Sequence, residues 1–166
     1  AHDNRISYQY EGDQLVRIED GNGRWLDFTY TSRGHVGTVT DQAGRTWRYD
    51  YDAAGSLVAV TNPAGDTRRY EYRSYRPQYD AQVYYQLTQV EDEAGIVLTS
   101  VTYNGSRVAS YTEGANRWTY TYDLANRITR KTDSLGARIQ YRYDANGDVV
   151  ERTDPLGNVE RTPRDS

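Results

Sequence analysis

Carboxylates are the residues whose type and spacing come closest to a catalytic arrangement in this chain. Asp50 and Asp52 lie two residues apart, and Asp144 and Asp148 lie four apart. Glycosidases use such pairs, with one carboxyl as the acid and the other as nucleophile or base. Most Asp residues here instead occupy the first position of a four-residue turn, which explains both residue type and spacing. We therefore predict no catalytic residue and no enzyme activity.

Metal, cofactor and nucleotide sites have equally little support. The segment from Asp144 to Asp148 faintly resembles a calcium loop, but no Glu occupies the twelfth position. Gly21-x-Gly23 is predicted to be a turn, since no helical pattern follows it. Cys is absent, which excludes disulfides and thiolate catalysis. We predict no cofactor and no metal, and we expect His2 and His35 to be solvated.

Aromatic residues are the remaining candidates for ligand binding. The chain contains 17 Tyr and 3 Trp. Trp25, Trp47 and Trp118 each start a Tyr-containing strand, and such rings can stack on sugars. Tyr79 and Tyr84 lie in the irregular segment RSYRPQYDAQVYY, and irregular loops carry function more often than scaffold strands do. The interpretation we favour for the Trp residues is packing within a repeat.

The candidate residues belong to an internal repeat of about 21 residues. An aromatic-x-aromatic pair recurs along the chain, and Val101/Tyr103 is a degenerate copy. We predict one repeat segment over residues 1–166, with about seven repeats and an irregular Tyr-rich insert at about 73–85. The repeat signature comprises Tyr49, Tyr51, Asp52, Gly55, Tyr70, Tyr72, Tyr120, Tyr122, Asp133, Gly136, Tyr141, Tyr143, Asp144, Gly147, Asp154 and Gly157.

Turns and alternation predict the elements that position these residues. Asp at a turn's first position bonds backbone N–H groups, and Gly at the fourth supplies positive φ. Gly55, Gly65, Gly136 and Gly147 are therefore expected at positive φ. Between turns, Trp47, Tyr49 and Tyr51 alternate with polar residues, which is the period of a strand.

The predicted fold is all-β, a single continuous antiparallel meander of short strands and hairpins. Mixed polarity on both faces predicts one sheet layer wetted on both sides, stabilised by Tyr ladders between neighbouring strands. The net charge is −4, which argues against nucleic-acid binding, and no apolar run is long enough to span a membrane. No signal peptide is visible. The chain begins at Ala1 without Met, so we expect an internal piece or a processed product.

The repeated motif resembles a known family. Tyr49-Asp-Tyr-Asp-Ala-Ala-Gly55 and Tyr141-Arg-Tyr-Asp-Ala-Asn-Gly147 look like the YD repeat, and the Asp154-Pro-Leu-Gly157 turn looks like that of Rhs proteins. The resemblance covers about residues 5–160. It implies a β-strip that spirals into a hollow shell, as in bacterial Rhs effectors, Tc toxins and the teneurin-like YD repeats.

The resemblance implies a function as well as a fold. The expected role is a non-enzymatic part of the wall of a β-cocoon that encloses a toxin polypeptide, secreted by a bacterial system. Expected partners are the enclosed toxin and either the rest of the shell or further copies joined through edge strands. The alternative is an extracellular carbohydrate- or cell-surface-binding repeat. Nothing here resembles the plug and self-cleavage motif of Rhs shells, and the pattern decays after Gly157, where Thr162 and Arg164 replace the Tyr pair.

Overall fold

The computed structural model describes residues 5–162, which form fifteen β-strands and contain no helix. The strands are β1 (Ile6–Glu11), β2 (Gln14–Asp20), β3 (Trp25–Tyr30), β4 (Val36–Asp41), β5 (Thr46–Tyr51), β6 (Leu57–Thr61), β7 (Thr67–Tyr75), β8 (Tyr84–Glu91), β9 (Val97–Asn104), β10 (Arg107–Glu113), β11 (Asn116–Asp123), β12 (Ile128–Asp133), β13 (Arg138–Tyr143), β14 (Val149–Thr153) and β15 (Val159–Arg161).

The strands are hydrogen-bonded in sequence order from β1 to β15 within one sheet. The prediction of an all-β antiparallel meander is confirmed. The chain divides into two compact units. The N-terminal unit comprises Ala1–Tyr72 with Val90–Ile96, and the C-terminal unit comprises Arg73–Gln89 with Val97–Ser166.

The hairpins form because one turn chemistry recurs. Asp52 Oδ1 accepts hydrogen bonds from the N–H groups of Ala54 and Ser56 at 2.8 and 2.9 Å. Gly55, at φ 89°, closes the turn by donating its N–H to the Asp52 carbonyl. The same pair of side-chain bonds occurs at Asp20, Asp41, Asn62, Asp92, Asp133, Asp144 and Asp154. The predicted positive φ is confirmed at Gly55, Gly65, Gly136 and Gly147.

The sheet is a single layer with two unlike faces. Among the described residues no apolar side chain is buried, and only Asp41 and Ser110 are buried. In β5, Trp47, Tyr49 and Tyr51 are half-buried while Arg48 and Asp50 are exposed. We call the side that carries the Tyr pairs the aromatic face, and the other side the polar face. The prediction of a thin, amphipathic layer without an apolar core is confirmed.

The polar face of the N-terminal unit is held by hydroxyl pairs between neighbouring strands. Thr29 and Thr38 are 2.7 Å apart at their hydroxyl oxygens, Thr40 and Thr46 are 3.0 Å apart, and Thr61 and Thr67 are 2.9 Å apart. Each pair is directly opposite in the ladder. Such cross-strand Thr pairs stabilise a sheet by roughly 0.2–1 kcal/mol each.

A β-bulge recurs near the start of the strand that follows a Tyr pair. In the pairing of β5 with β6, Asp50 opposes Ala59 and Tyr51 opposes Leu57, so that Val58 is the extra residue. Equivalent register shifts fall at Val16, Gly37, Ala109 and Val150. A bulge bends its strand and increases the local twist.

The predicted Tyr ladders between neighbouring strands are wrong. Tyr49 lies opposite Val60, Tyr120 opposite Lys131, and Tyr141 opposite Thr129. Tyr-pair strands therefore alternate with strands of another composition, because each repeat contributes two strands and only one carries the pair. The Tyr rings act on neighbouring strands in another way, described below.

The hairpin of β11 and β12 departs from this pattern in the C-terminal unit. Its strands pair from Trp118↔Asp133 to Asp123↔Ile128 without a register shift. Arg127 ends the loop at φ 54°, the one non-glycine positive φ among the described residues. The Arg127 carbonyl accepts the backbone N–H of Tyr143 at 2.9 Å. The left-handed residue thus replaces the bulge as the means of closing this hairpin.

Replacing Arg127 with Gly is expected to stabilise the protein. A residue with a Cβ at positive φ costs about 1–2 kcal/mol, and Gly recovers part of that while losing entropy on folding. We expect a gain of about 0.5–1 kcal/mol in urea unfolding. Arg127→Ala is the matched control, since it removes the guanidinium but keeps the Cβ. Equal stabilisation by both variants would contradict the backbone explanation.

Candidate functional site

Tyrosine hydroxyls bridge four of the strands, β3, β5, β9 and β11, to the backbone of the strand before each. The second member of the pair donates its O–H to a carbonyl 14 to 16 residues earlier. The bonds are Tyr30 to Leu15 at 2.8 Å, Tyr51 to Val36 at 3.0 Å, Tyr103 to Leu87 at 2.7 Å and Tyr122 to Val108 at 2.8 Å. Tyr103, the degenerate copy, makes the same bond as the others.

The bridges lie where the backbone ladder stops. Strands β4 and β5 pair at Thr38↔Arg48, Val39↔Trp47 and Thr40↔Thr46 only. Val36 precedes the bulge at Gly37 and lies beyond the end of this ladder. The Tyr51 side chain spans the interval and reaches the Val36 carbonyl. The Tyr pair is therefore a structural device that joins two strands where the bulge separates them.

Three of the four bridging hydroxyls have a pKa that favours the protonated form. Burial raises the pKa of Tyr51, Tyr103 and Tyr122 above the usual value, since the charged form is poorly solvated there. Tyr72 and Tyr120 are raised for the same reason. A protonated phenol donates a hydrogen bond and is a poor base, so these groups suit positioning rather than proton transfer.

Replacing Tyr122 with Phe is expected to lower stability by about 1 kcal/mol. The change removes one hydrogen bond to a half-buried carbonyl and keeps the ring. Tyr10→Phe is the matched control, because Tyr10 holds the same place in its pair but is 60% exposed. Chemical denaturation of the two variants measures the difference, and an equal loss would contradict the bridging role.

The three Trp residues are not equivalent in the structure. Trp47 and Trp118 are four residues before Tyr51 and Tyr122 and lie on the aromatic face. Trp25 is five residues before Tyr30 in β3, so it lies on the polar face. Its neighbour there is Asp27, whose carboxylate forms a bidentate ion pair with Arg17 on β2.

Cations cover the Trp rings. The Arg17 guanidinium lies 4.5 Å from the Trp25 ring centroid, and Arg45 lies 6.0 Å from that of Trp47. Trp118 has the Lys131 ammonium at 4.5 Å, and Tyr111 stacks on it with ring centroids 5.6 Å apart. A cation near one face of each ring is the contact expected if the Trp residues pack within the repeat.

The insert forms part of a long hairpin rather than a separate one. Strand β7 runs to Tyr75 and β8 begins at Tyr84, which leaves residues 76–83 as the irregular loop. Tyr84 donates its hydroxyl to Asp80 Oδ2 at 2.7 Å, and Tyr79 is 94% exposed. Tyr79 thus projects from the loop, whereas Tyr84 is tied to the loop by a hydrogen bond.

Arg73 holds the base of that loop in the C-terminal unit. Its guanidinium donates to Gln86 Oε1 at 2.7 Å and to the Gly105 carbonyl at 2.6 Å. It also lies 4.8 Å from the ring centroid of Tyr103. The composition of the insert did not single out Arg73, since its partners are 13 and 32 residues away.

Two of the four candidate carboxylates serve turns, and other Asp residues are held by hydrogen bonds and ion pairs. Asp52 and Asp144 accept the backbone bonds of their own turns. A hydrogen bond from Arg45 lowers the pKa of Asp41, one from Asn158 lowers that of Asp154, and the Arg24 backbone N–H lowers that of Asp20. A general acid needs the opposite shift. Residues 5–162 contain no cluster of three His, Cys, Asp or Glu that would hold a metal ion.

Stability is expected to fall at both extremes of pH. Carboxyl groups such as those of Asp27 and Asp41 have lower pKa values in the folded protein than the ordinary value of 3.8. Their ionised forms stabilise the fold at pH values above 3.8, and this stability is lost as pH falls through the pKa values of the folded protein. The phenols of Tyr51 and Tyr122 have higher pKa values in the folded protein than the ordinary value of 10.0. Their protonated forms stabilise the fold at pH values below 10.0, and this stability is lost as pH rises through the pKa values of the folded protein. Thermal midpoints across pH should show a plateau between these limits, and a maximum outside it would contradict the assignment.

His35 is placed differently from the sequence expectation. It is half-buried rather than solvated, and it stacks on Tyr51 with ring centroids 4.6 Å apart. Its Cε1 lies 3.0 Å from where a Cβ on Gly55 would stand. The ring thus packs against the next turn of the N-terminal unit. His2 lies outside the described residues.

Comparison with known proteins identifies the repeat. The RHS Repeat family model matches residues 30–67 and 122–159. Both matched segments begin at the second member of an aromatic pair and include an Asp-turn-Gly hairpin. No curated protein matches the chain.

Solved structures of Tc toxins share the fold. The Tc holotoxin pore of Photorhabdus luminescens matches at a TM-score of 0.59 and 14% identity, covering 94% of this chain and 9% of that one. TcdB2-TccC3 without the hypervariable C-terminal region matches at a TM-score of 0.55 and 15% identity, covering 86% and 9%. The two segments that match the RHS Repeat model carry the recurring Tyr strands and Asp turns, and the Tc toxin structures share their fold.

Proposed function

We propose that this chain is a non-enzymatic structural module, one panel in the wall of a β-sheet container that encloses a toxin polypeptide. The observation that carries the proposal is the single layer. Fifteen strands continue in sequence order without burying one apolar side chain among the described residues. A layer without a core of its own is suited to the wall of a container.

The contacts that stabilise the layer are local, so the layer can be extended by adding strands. Neighbouring strands are joined by hairpin turns, some of them also by hydroxyl pairs, and four strands by a Tyr bridge to the strand before. Repeat proteins stabilised by nearest-neighbour contacts can be lengthened by adding repeats. A wall of any required extent follows from this arrangement, whereas a domain built around one apolar core is limited in size.

The likeness to Tc toxins supports the proposals that the partner is an enclosed toxin and that the protein is secreted. The chain spans 9% of the length of the matching toxin chains, so most of each of those chains lies outside the match. The partners we propose are the remainder of a shell, joined through edge strands, and an enclosed toxin, with delivery by a bacterial secretion or toxin system. No membrane-crossing helix is present in residues 5–162.

Ligand binding separates this role from the alternative, a carbohydrate- or surface-binding repeat. A wall has no saturable site, so we expect no specific glycan on an array. Variants of Trp25, Trp47, Trp118, Tyr79 and Tyr84 should abolish no binding, whether or not they change stability. Micromolar binding of a sugar that one such change removes, with the melting temperature unchanged, would overturn the container proposal and support the binder.

The coding sequence that flanks this segment provides the positive test. A plug followed by a variable toxin domain downstream is the result we expect from a container. A wall-anchoring module in that place would contradict the proposal and support the surface-binding repeat instead.

A further inference from the structure

The polar face of the C-terminal unit carries an excess of arginine. In β11, Trp118 and Tyr120 point to the aromatic face, so Arg117 points to the polar face. Residues that lie opposite one another in the ladder share a face, which extends this assignment to the neighbouring strands. The charged side chains on the polar face of β11 to β15, which we call the arginine surface, are Arg117, Arg130, Arg138, Arg142 and Arg161, with Asp123 and Glu151.

The polar face of the N-terminal unit has no such excess. Its charged side chains in β2 to β6 and in β7 as far as Glu71 are Arg17, Arg48 and Arg69, with Glu19, Asp27, Asp50 and Glu71. Arg17 is held in an ion pair with Asp27. The arginine excess is therefore a local property of the C-terminal unit, in a chain whose net charge is −4.

The two carboxylates of the arginine surface are already engaged. Arg142 and Arg161 both donate to Glu151 Oε2, at 3.2 and 3.1 Å. The Asp123 carboxylate accepts the backbone N–H and the side-chain amide of Asn126, at 3.1 and 2.9 Å, within its own turn. Neither carboxylate neutralises the remaining arginines at close range.

Three arginines have no carboxylate at ion-pair distance within the part of the chain that the structure describes. Arg117 and Arg138 are exposed and make no hydrogen bond or ion pair there. Arg130 donates to the neutral amide oxygen of Gln140 at 3.0 Å, and the charge of Asp123 acts on it only from beyond ion-pair distance. These three guanidinium groups are free to receive an anionic partner.

The spacing of the arginines matches that of side chains on an extended polypeptide. Arg130 lies opposite Gln140, two residues from Arg138. The two arginines are therefore diagonal neighbours, about 7–8 Å apart. Alternate side chains of an extended chain lie on one side, about 6.6 Å apart. Carboxylates at positions i and i+2 of such a segment therefore reach both guanidinium groups at once.

The chemistry of the arginine surface favours a polypeptide over a nucleic acid. The Tyr and Trp rings of β11 to β15 point to the aromatic face, so this part of the polar face has no ring on which bases could stack. Hydroxyl groups lie beside the arginines instead, with Thr119, Thr132 and Arg138 in one row across three strands. Hydroxyls donate to carboxylates and to backbone carbonyls.

We propose that the arginine surface binds extended, acidic segments of polypeptide, with Arg117, Arg130 and Arg138 as the principal contacts. The inference rests on the proposed wall function in one respect, that this polypeptide is the enclosed one, and it adds the face and the charge by which the wall holds it. Each contact between an exposed Arg and a carboxylate is weak. The attraction is therefore spread over several groups, unlike a saturable pocket for a small molecule.

Binding of poly-L-glutamate to the full chain tests the proposal. We expect binding at low salt that falls as salt rises, because the contacts are exposed. The double variant Arg117→Gln with Arg138→Gln should weaken it about fivefold. The matched control is Arg48→Gln with Arg69→Gln, which removes two exposed arginines from the polar face of the N-terminal unit and should leave the affinity unchanged. Both double variants change the net charge equally.

A second double variant separates loss of charge from loss of structure. Arg117→Lys with Arg138→Lys keeps both positive charges and should bind poly-L-glutamate as the unaltered protein does. Thermal unfolding should give the same midpoint for all three double variants, since the side chains that they change are exposed.

Three results would overturn the proposal. They are no binding of poly-L-glutamate at low salt, an equal loss in the two glutamine double variants, and tighter binding of a single-stranded oligonucleotide of equal charge, which would assign the surface to nucleic acid. Failure of the wall function is a separate result, seen as a wall-anchoring module downstream or as saturable glycan binding. A toxin domain downstream together with no binding of poly-L-glutamate would overturn this inference alone.

Discussion

Replacing Trp118 with alanine is expected to lower the free energy of unfolding by about 3 kcal/mol. The value lies at the low end for loss of a large aromatic side chain, because the ring is half-buried. The change removes the stack with Tyr111 and the contact with the Lys131 ammonium. These are worth about 0.5–1.5 and 0.5–1 kcal/mol beyond burial. Chemical denaturation measures the loss.

Two control variants distinguish the loss of this packing from the loss of an aromatic ring at any position. Tyr79→Ala deletes an aromatic ring that is 94% exposed and should leave the melting temperature unchanged. Lys131→Gln keeps the stack with Tyr111 and removes the cation alone, so it should produce a smaller loss. Trp118→Ala with no measurable effect on unfolding would show that the ring does not stabilise the sheet, and the packing interpretation would be wrong.

Replacing Gly55 with valine is expected to cost more than the same change at another turn. A Cβ at φ 89° costs about 1–2 kcal/mol in any turn of this type. At Gly55 the Cβ also meets His35 Cε1 at 3.0 Å, so the ring must move off Tyr51. We expect a total of about 3 kcal/mol, since displacing a packed ring adds a further 1–2 kcal/mol.

Gly136 is the matched control for this substitution. It has φ 87°, and nothing lies within 4 Å of its added Cβ. Gly136→Val should therefore show the backbone cost alone. In a His35→Ala background, Gly55→Val should fall to the same value, because the clash is gone. If the two Val variants cost the same in the native background, the His35 contact carries no weight.

Much of the fold could be predicted from the sequence because its causes are local. The period of two in Trp47, Tyr49 and Tyr51 and the turn from Asp52 to Gly55 act within a few residues. Their outcome, a meander of short hairpins, is confirmed strand by strand. Two of the four Asp residues that suggested catalysis, Asp52 and Asp144, accept the backbone bonds of turns, as their type and spacing predicted.

Two further features, the face on which Trp25 lies and the Tyr bridges, are indicated by spacings in the sequence. Trp25 and Tyr30 are an odd number of residues apart, whereas Trp47 and Tyr51 are an even number apart. That parity places Trp25 on the opposite face, beside Asp27. Within the 21-residue repeat, each bridging Tyr also lies about 15 residues after the residue whose carbonyl accepts its hydrogen bond, as Tyr51 lies after Val36.

Only the tertiary structure decided how the strands are joined. The bulge at Gly37, the bridge from Tyr51, the stack of His35 on that ring and the cation over Trp118 each depend on register between strands. Alternation and turn chemistry specify which face a side chain occupies, but one extra residue in a strand shifts every later cross-strand pair. The sequence by itself therefore determined the strands, the turns and their order, and the three-dimensional register determined which side chains meet.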